Sequence, residues 1–135
     1  MKTLAMMTTL AAIGLAGCET ADVQPTRSAE MQRVYDKSLA GKTAGKADNC
    51  LPTYRSNDMT VIDDHTLTFR DGRTTWVNNM RGSCSQLGRA GYALVSRQFG
   101  SQVCRGDIAT VVDTSSGMTV GSCSYGDFVP YRPAS

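Results

Sequence analysis

The hydrophobic positions of this chain fall into three regimes. Apolar residues dominate from Leu4 to Leu15, are sparse from Glu19 to Asn49, and from Cys50 onward come in short runs separated by turn residues. The third regime reads as β throughout. Met59 to Ile62 is a short run rich in β-branched residues, Asp63-Asp64 breaks it, and Thr66-Leu67-Thr68-Phe69-Arg70 alternates polar and apolar as a half-buried strand does. Asp71-Gly72 follows, a strong hairpin signal because a type I′ turn needs positive φ at both central positions. With that pair as the turn, Phe69 faces Thr74, Leu67 faces Trp76 and Arg70 faces Arg73. The only tryptophan is then a core residue, and the two arginines point to water because like charges opposite one another repel.

Further along, Arg81 to Gly88 has no period and reads as an ordered connection pinned by Cys84. Tyr92 to Arg97 is the next strand, Phe99-Gly100-Ser101 turns the chain into Val103-Cys104, and Ile108 to Val112, the most apolar run, belongs in the centre. Thr114 to Gly117 turns it back into Met118 to Val120, which continues through Cys123 to Tyr125. Phe128-Val129 closes an edge before Pro130 and Pro133 stop the pairing. The expectation is an all-β fold over residues 50–131: a small, disulfide-stapled, barrel-like antiparallel sheet of six or seven strands. Curling is expected because it removes edges that so short a chain has little else to cover.

The polar regime reads as a flexible tether over residues 18–49. Within it Met31, Val34, Tyr35 and Leu39 recur at helical spacing behind Ser28, a suitable N-cap, and Gly41 can end the segment. The spacing predicts a short helix near 28–40, which frays unless it docks on the domain. Ala40 to Lys46 contains the Gly, Lys and Thr of a phosphate loop, but no hydrophobic strand precedes it and no helix pattern follows, so it reads as linker.

The N-terminal run is short for a membrane span, which takes roughly 20 apolar residues, and polar Glu19 to Asp22 follow it without a stop-transfer pattern. Lys2, the apolar run and the small residues Ala16 and Gly17 make a secretory signal, and Leu15-Ala16-Gly17-Cys18 resembles the lipobox of bacterial lipoproteins. The resemblance implies diacylglycerol transfer to the Cys18 thiol, cleavage before Cys18 by the lipoprotein maturation machinery, and acylation of the new amine. Two or three acyl chains then anchor the protein stably, where one alone binds marginally. Sorting in Gram-negative lipoproteins is read just after that cysteine, where Asp tends to retain the protein in the inner membrane. Glu19 is not that signal, so the outer membrane, with the domain facing the periplasm, is expected.

Composition then adds little. Losing residues 1–17 of the 135 leaves 118, and losing Lys2 leaves 13 basic side chains against 12 acidic ones. A balance so close to neutral implies no nucleic-acid partner.

Cysteines change the picture more. Beside Cys18 there are Cys50, Cys84, Cys104 and Cys123, an even number in an exported domain too small to rest on its core alone. No Cys-x-x-Cys pair occurs, so neither a zinc site nor a redox motif is indicated. Two disulfides follow. Of the three connectivities, Cys84 with Cys104 and Cys50 with Cys123 is preferred, because it nests the middle pair and ties the first strand to the last.

Cys50-Leu51-Pro52, Val61 to Phe69 with Asp63-Asp64, Gly82 to Leu87 with Cys84, Cys104-Arg105-Gly106-Asp107-Ile108 and Cys123 together resemble a family of small Gram-negative lipoproteins of unknown function. The resemblance spans roughly residues 49–130 and implies no activity. Two positions depart from the family pattern. His65 stands where the pattern has Arg after Asp-Asp, and Ser85 where it has Pro after the second cysteine, so neither position carries a shared chemistry.

His65 is the only histidine, and with Asp63 and Asp64 it is the one cluster from which a metal site or a carboxylate-oriented base could be drawn. Asp-Asp-His between two strands is also good turn chemistry, and no motif supplies a nucleophile, so the turn reading is preferred. Asp107 likewise reads as a residue that satisfies backbone amides. No catalytic, cofactor-binding or metal-binding residue is expected, and no enzyme. What remains is a non-catalytic binding or structural module of the envelope, partnered by an envelope protein or a cell-wall component. The alternative is a periplasmic inhibitor of a cell-wall hydrolase such as lysozyme, by analogy with other small stapled barrels on lipid anchors; their motif is absent here.

Overall fold

The computed structural model describes residues 27–135. The expected signal peptide, the expected lipidation site Cys18 and the first part of the expected tether lie outside the described residues. Helix α1 spans Ala29–Leu39, capped by Ser28, whose Oγ accepts from the Met31 amide at 3.2 Å; Glu30 in the first turn and Lys37 in the last suit the helix dipole. Eleven short strands follow: β1 Lys42–Ala44, β2 Cys50–Pro52, β3 Met59–Val61, β4 Thr66–Asp71, β5 Thr74–Asn79, β6 Arg81–Ser83, β7 Tyr92–Ser96, β8 Gln102–Cys104, β9 Ile108–Asp113, β10 Thr119–Ser124 and β11 Phe128–Pro133.

The class is all-β, as the period-2 pattern implies. Pairing is antiparallel and forms three sheets, in the orders β1-β11-β5-β4-β3, β6-β10-β9-β7 and β2-β8. Among the described residues no strand pairing closes these into a ring, so the expected single curled sheet of six or seven strands is replaced by separate sheets around one core. Leu67, Phe69, Trp76 and Phe128 come from the five-stranded sheet, Ala109, Val111 and Cys123 from the four-stranded one, and Leu51 and Val103 from the two-stranded one. Sharing a core lets each sheet bury one face without curling. Strand β9 is interior to its sheet, as its apolar run predicts.

The β4–β5 hairpin forms with a different turn. Asp71 pairs with Thr74, so Gly72-Arg73 are the loop; Gly72 has φ 57° and Arg73 does not have positive φ, which suits a type II′ turn with glycine first. The register moves by two residues. Phe69 now faces Trp76, Leu67 faces Asn78, and Arg70 faces Thr75 rather than Arg73. A shift of two keeps every side chain on its face, so Trp76 is still core, and it gains an aromatic neighbour in place of a threonine.

Two expectations at the chain ends are corrected together. Strand β11 is not an edge; it lies between β5 and β1, with Pro130 opposite Trp76 and Pro133 opposite Lys42. Phe128 exchanges both backbone hydrogen bonds with Asp48, at 2.8 and 2.9 Å, so alternation turns Pro130 to that same side. There the Pro130 carbonyl accepts from the Gly45 amide at 2.7 Å, and its missing N–H costs nothing on the β5 side. The pairing partners lie within the expected tether. Lys42–Ala44 and, through an isolated bridge, Asp48 pair with β11, so the folded part begins well before Cys50.

The disulfides also differ from the preferred pairing. Cys50 is bonded to Cys104 and Cys84 to Cys123. The preferred nesting assumed that the strand opening at Cys50 meets the strand of Cys123. Instead β2 pairs with β8, setting Cys50 opposite Cys104 with Cα atoms 3.9 Å apart. Strand β6 pairs with β10 with Gly82 opposite Cys123, which brings Cys84 within 5.3 Å, Cα to Cα. The loops closed are 54 and 39 residues, each worth about 4 kcal/mol in the chain-entropy model.

One buried amide stitches the turn before β11. Asn78, 0% exposed, accepts from the Gly126 N–H at 3.0 Å and donates to the carbonyls of Gly126 and Asp127 at 2.9 and 3.3 Å. A Cβ at Gly126 would collide with the Asn79 carbonyl, so the approach requires glycine.

Digestion of the oxidised chain is therefore expected to release Cys50 peptides linked to Cys104 and Cys84 peptides linked to Cys123; a Cys84–Cys104 link by mass spectrometry overturns the arrangement. Asn78→Ala is expected to lower stability by about 2 to 4 kcal/mol in chemical denaturation, since it strands buried backbone groups. A loss under about 0.5 kcal/mol, the range of neutral surface changes, would contradict the role given to it.

Candidate functional site

The Asp-Asp-His segment turns β3 into β4. The Asp63 side chain is fully buried; its Oδ1 accepts from the His65 amide and its Oδ2 from Arg27 Nε, each at 2.8 Å. Arg27 also donates to Thr66 Oγ1 at 3.2 Å and lies 4.4 Å above the Tyr35 ring. Asp63 is thus committed to holding the turn and the start of α1. Asp64 and His65 are part-exposed and 3.8 Å apart, and the His65 carbonyl accepts from the Met80 amide at 2.6 Å. Among the described residues no three His, Cys, Asp or Glu side chains gather as a metal would need. The Arg27 partner lies 36 residues away, and no sequence signal points to it.

Asp107 behaves as read from the sequence. Its Oδ2 accepts from the Cys104 amide at 2.8 Å, beside Gly106 at φ 91°. The four site cysteines are structural, buried at Cys84 and Cys123 and half-buried at Cys50 and Cys104.

A cavity of 260 Å³ opens between β3 and β7, the outer strands of the two larger sheets, with Met59, Leu94 and Ser96 on its walls and Tyr125 at its base. The Tyr125 hydroxyl is hydrogen-bonded to Ser96. Burial raises the Tyr125 pKa above its ordinary value, the Ser96 bond works against that, and the Asp107 charge adds to it. Ser96 has a neutral phenol beside it rather than a base, so the pair lacks what activates a serine nucleophile.

The larger space, 420 Å³, lies between α1 and the outer face of the five-stranded sheet. The helix contributes Val34, Lys37 and Ser38; the sheet contributes Thr60, Thr68, Arg70 and Thr75; Lys42 and Asp58 close the ends. The helix is held there by polar contacts. The Ser38 carbonyl accepts from Thr75 Oγ1 at 3.1 Å and from Lys42 Nζ at 2.9 Å, and Lys42 Nζ also reaches Thr75 Oγ1 at 2.7 Å. Arg70 Nε donates to Asp58 at 2.8 Å. Sequence reading missed this groove because its two walls meet only when α1 docks.

His65→Ala is expected to leave the thermal midpoint within the shift that about 0.5 kcal/mol produces, because its hydrogen bonds to Asp63 and Met80 use the backbone. Calorimetry with and without zinc checks it. A zinc-dependent stabilisation that vanishes in the variant would establish a metal site at this turn.

No curated protein and no solved structure matches the chain. Residues 1–124 match a family of unknown function (DUF6491), from the N-terminal apolar run through β10. That span holds all four disulfide cysteines, the Asp63 turn and the whole lining of the groove. The chain belongs to this family of unknown function.

Proposed function

We propose that the protein is a lipid-anchored envelope lipoprotein whose folded part is a non-catalytic binding or structural module. One observation carries the reading: the lipobox-like Leu15 to Cys18 precedes a domain whose other four cysteines are all in disulfides. Disulfides persist in oxidising compartments, where an exported lipoprotein would reside. Glu19 after the cysteine favours the outer membrane, with the domain in the periplasm.

Under this reading α1 shortens the link between lipid and domain. With Arg27 clasped on Asp63, the chain from Cys18 to Arg27 can reach at most roughly 30 Å, at ~3.3 to 3.6 Å per residue. A free tether to residue 49 would reach about three times as far at the same rise per residue. The partner sought is therefore one at or close to the membrane surface, and a cell-wall component would have to approach it.

Cys18→Ser is expected to abolish incorporation of radiolabelled palmitate and to release the protein from the membrane fraction, since only a thiol accepts the diacylglycerol. Label retained by the variant overturns the anchor.

A further inference from the structure

We infer that the groove between α1 and the five-stranded sheet binds an oxyanion, phosphate or carboxylate, carried on a small polar ligand. The inference rests on the binding-module part of the proposed function and is independent of the anchor. Its basis is an imbalance of donors over acceptors. Three cations, Lys37, Lys42 and Arg70, face the groove against one carboxylate, Asp58, which Arg70 Nε already engages. Lys37 has no partner among the described residues. Lys42 spends two donors on neutral oxygens, the Ser38 carbonyl and Thr75 Oγ1, and keeps one. Its charge is partly offset by the α1 C-terminus, which leaves Lys37 and the free Nη atoms of Arg70 as the main attraction.

The second observation is Thr68. It lines the groove while only 5% exposed, and its hydroxyl has no hydrogen-bond partner among the described residues. That hydroxyl is not among the buried unpartnered atoms, so it opens to the groove, where it can hydrogen-bond a ligand oxygen. Thr60 offers a second hydroxyl on the same wall. A volume of 420 Å³ suits a ligand about the size of a sugar phosphate. Among the described residues the lining has no aromatic platform, so charge and hydrogen bonds would select the ligand. Ionic hydrogen bonds are the stronger kind, and salt weakens those near the surface.

The test titrates the full chain in detergent with glucose 6-phosphate, glucuronate, glucose and inorganic phosphate, read by calorimetry and amide NMR. Glucose 6-phosphate and glucuronate are expected to bind at least about tenfold more tightly than glucose, less tightly as salt rises, with shifts confined to the groove-lining parts of α1, β1, β3, β4 and β5. Lys37→Gln, on the exposed helix surface, should weaken binding about tenfold without moving the thermal midpoint, and Thr68→Val should weaken it several-fold. Vesicles of phosphatidylglycerol against phosphatidylcholine identify the source: competition by the former alone makes the oxyanion a lipid headgroup, and no competition makes it a soluble ligand. Equal affinity for glucose and its phosphate, unchanged affinity in Lys37→Gln, or no saturable binding at ~10 mM overturns the inference. None of these outcomes bears on palmitate labelling at Cys18, so anchor and groove fail separately.

Discussion

The constraint on which the rest of the structure depends is the double-sided pairing of β11. The last strand of the chain hydrogen-bonds β5 on one side and β1 on the other, so the five-stranded sheet is incomplete until the C-terminal residues arrive. Among the described residues strand β1 has no other partner in the sheet. Helix α1 ends three residues before β1 begins and lies on the face of the same sheet, so its docking follows from that pairing. Phe128 also puts its ring between those of Phe69 and Tyr125, with centroids 6.0 and 5.9 Å away, which joins the strand to the shared core.

The disulfides act around this arrangement. Cys84–Cys123 ties β10 to the connection after β6, and Cys50–Cys104 binds the two-stranded sheet to itself. Neither crosslinks β11. Its turn is held by the Asn78 amide, which satisfies backbone groups that a buried corner would leave unpaired. Covalent closure thus serves the β6-to-β10 half and the β2–β8 pair, while a polar contact serves the strand that completes the other half.

Docking of α1 has two consequences for function. It brings Arg27 onto the buried Asp63 carboxylate, a contact costly to break from one side only because that would leave a buried charge unpaired. It also roofs the outer sheet face, where Thr66, Thr68 and Thr75 are buried although they are polar and lie away from the main core. The same helix forms one wall of the donor-rich groove. Groove shape therefore depends on one element that buries no residue completely.

What the sequence determined by itself was local. The alternation of Thr66 to Arg70, the glycine-centred hairpin, the Ser28 cap and the burial of Trp76 follow from side-chain period and turn chemistry, which act over a few residues. The even count of cysteines in a small domain likewise implied two bridges. Only the tertiary structure decided which strands meet: β11 passing through two prolines into a sheet interior, β1 arising from a linker-like stretch, Cys50 meeting Cys104, and Arg27 meeting Asp63 across 36 residues. Such pairings depend on buried area and register summed over the whole chain, and a short polar strand such as Lys42–Ala44 carries no period long enough to announce itself. The groove belongs to the same class, since its donors come from α1, β1, β4 and β5 and converge only once those pairings are made.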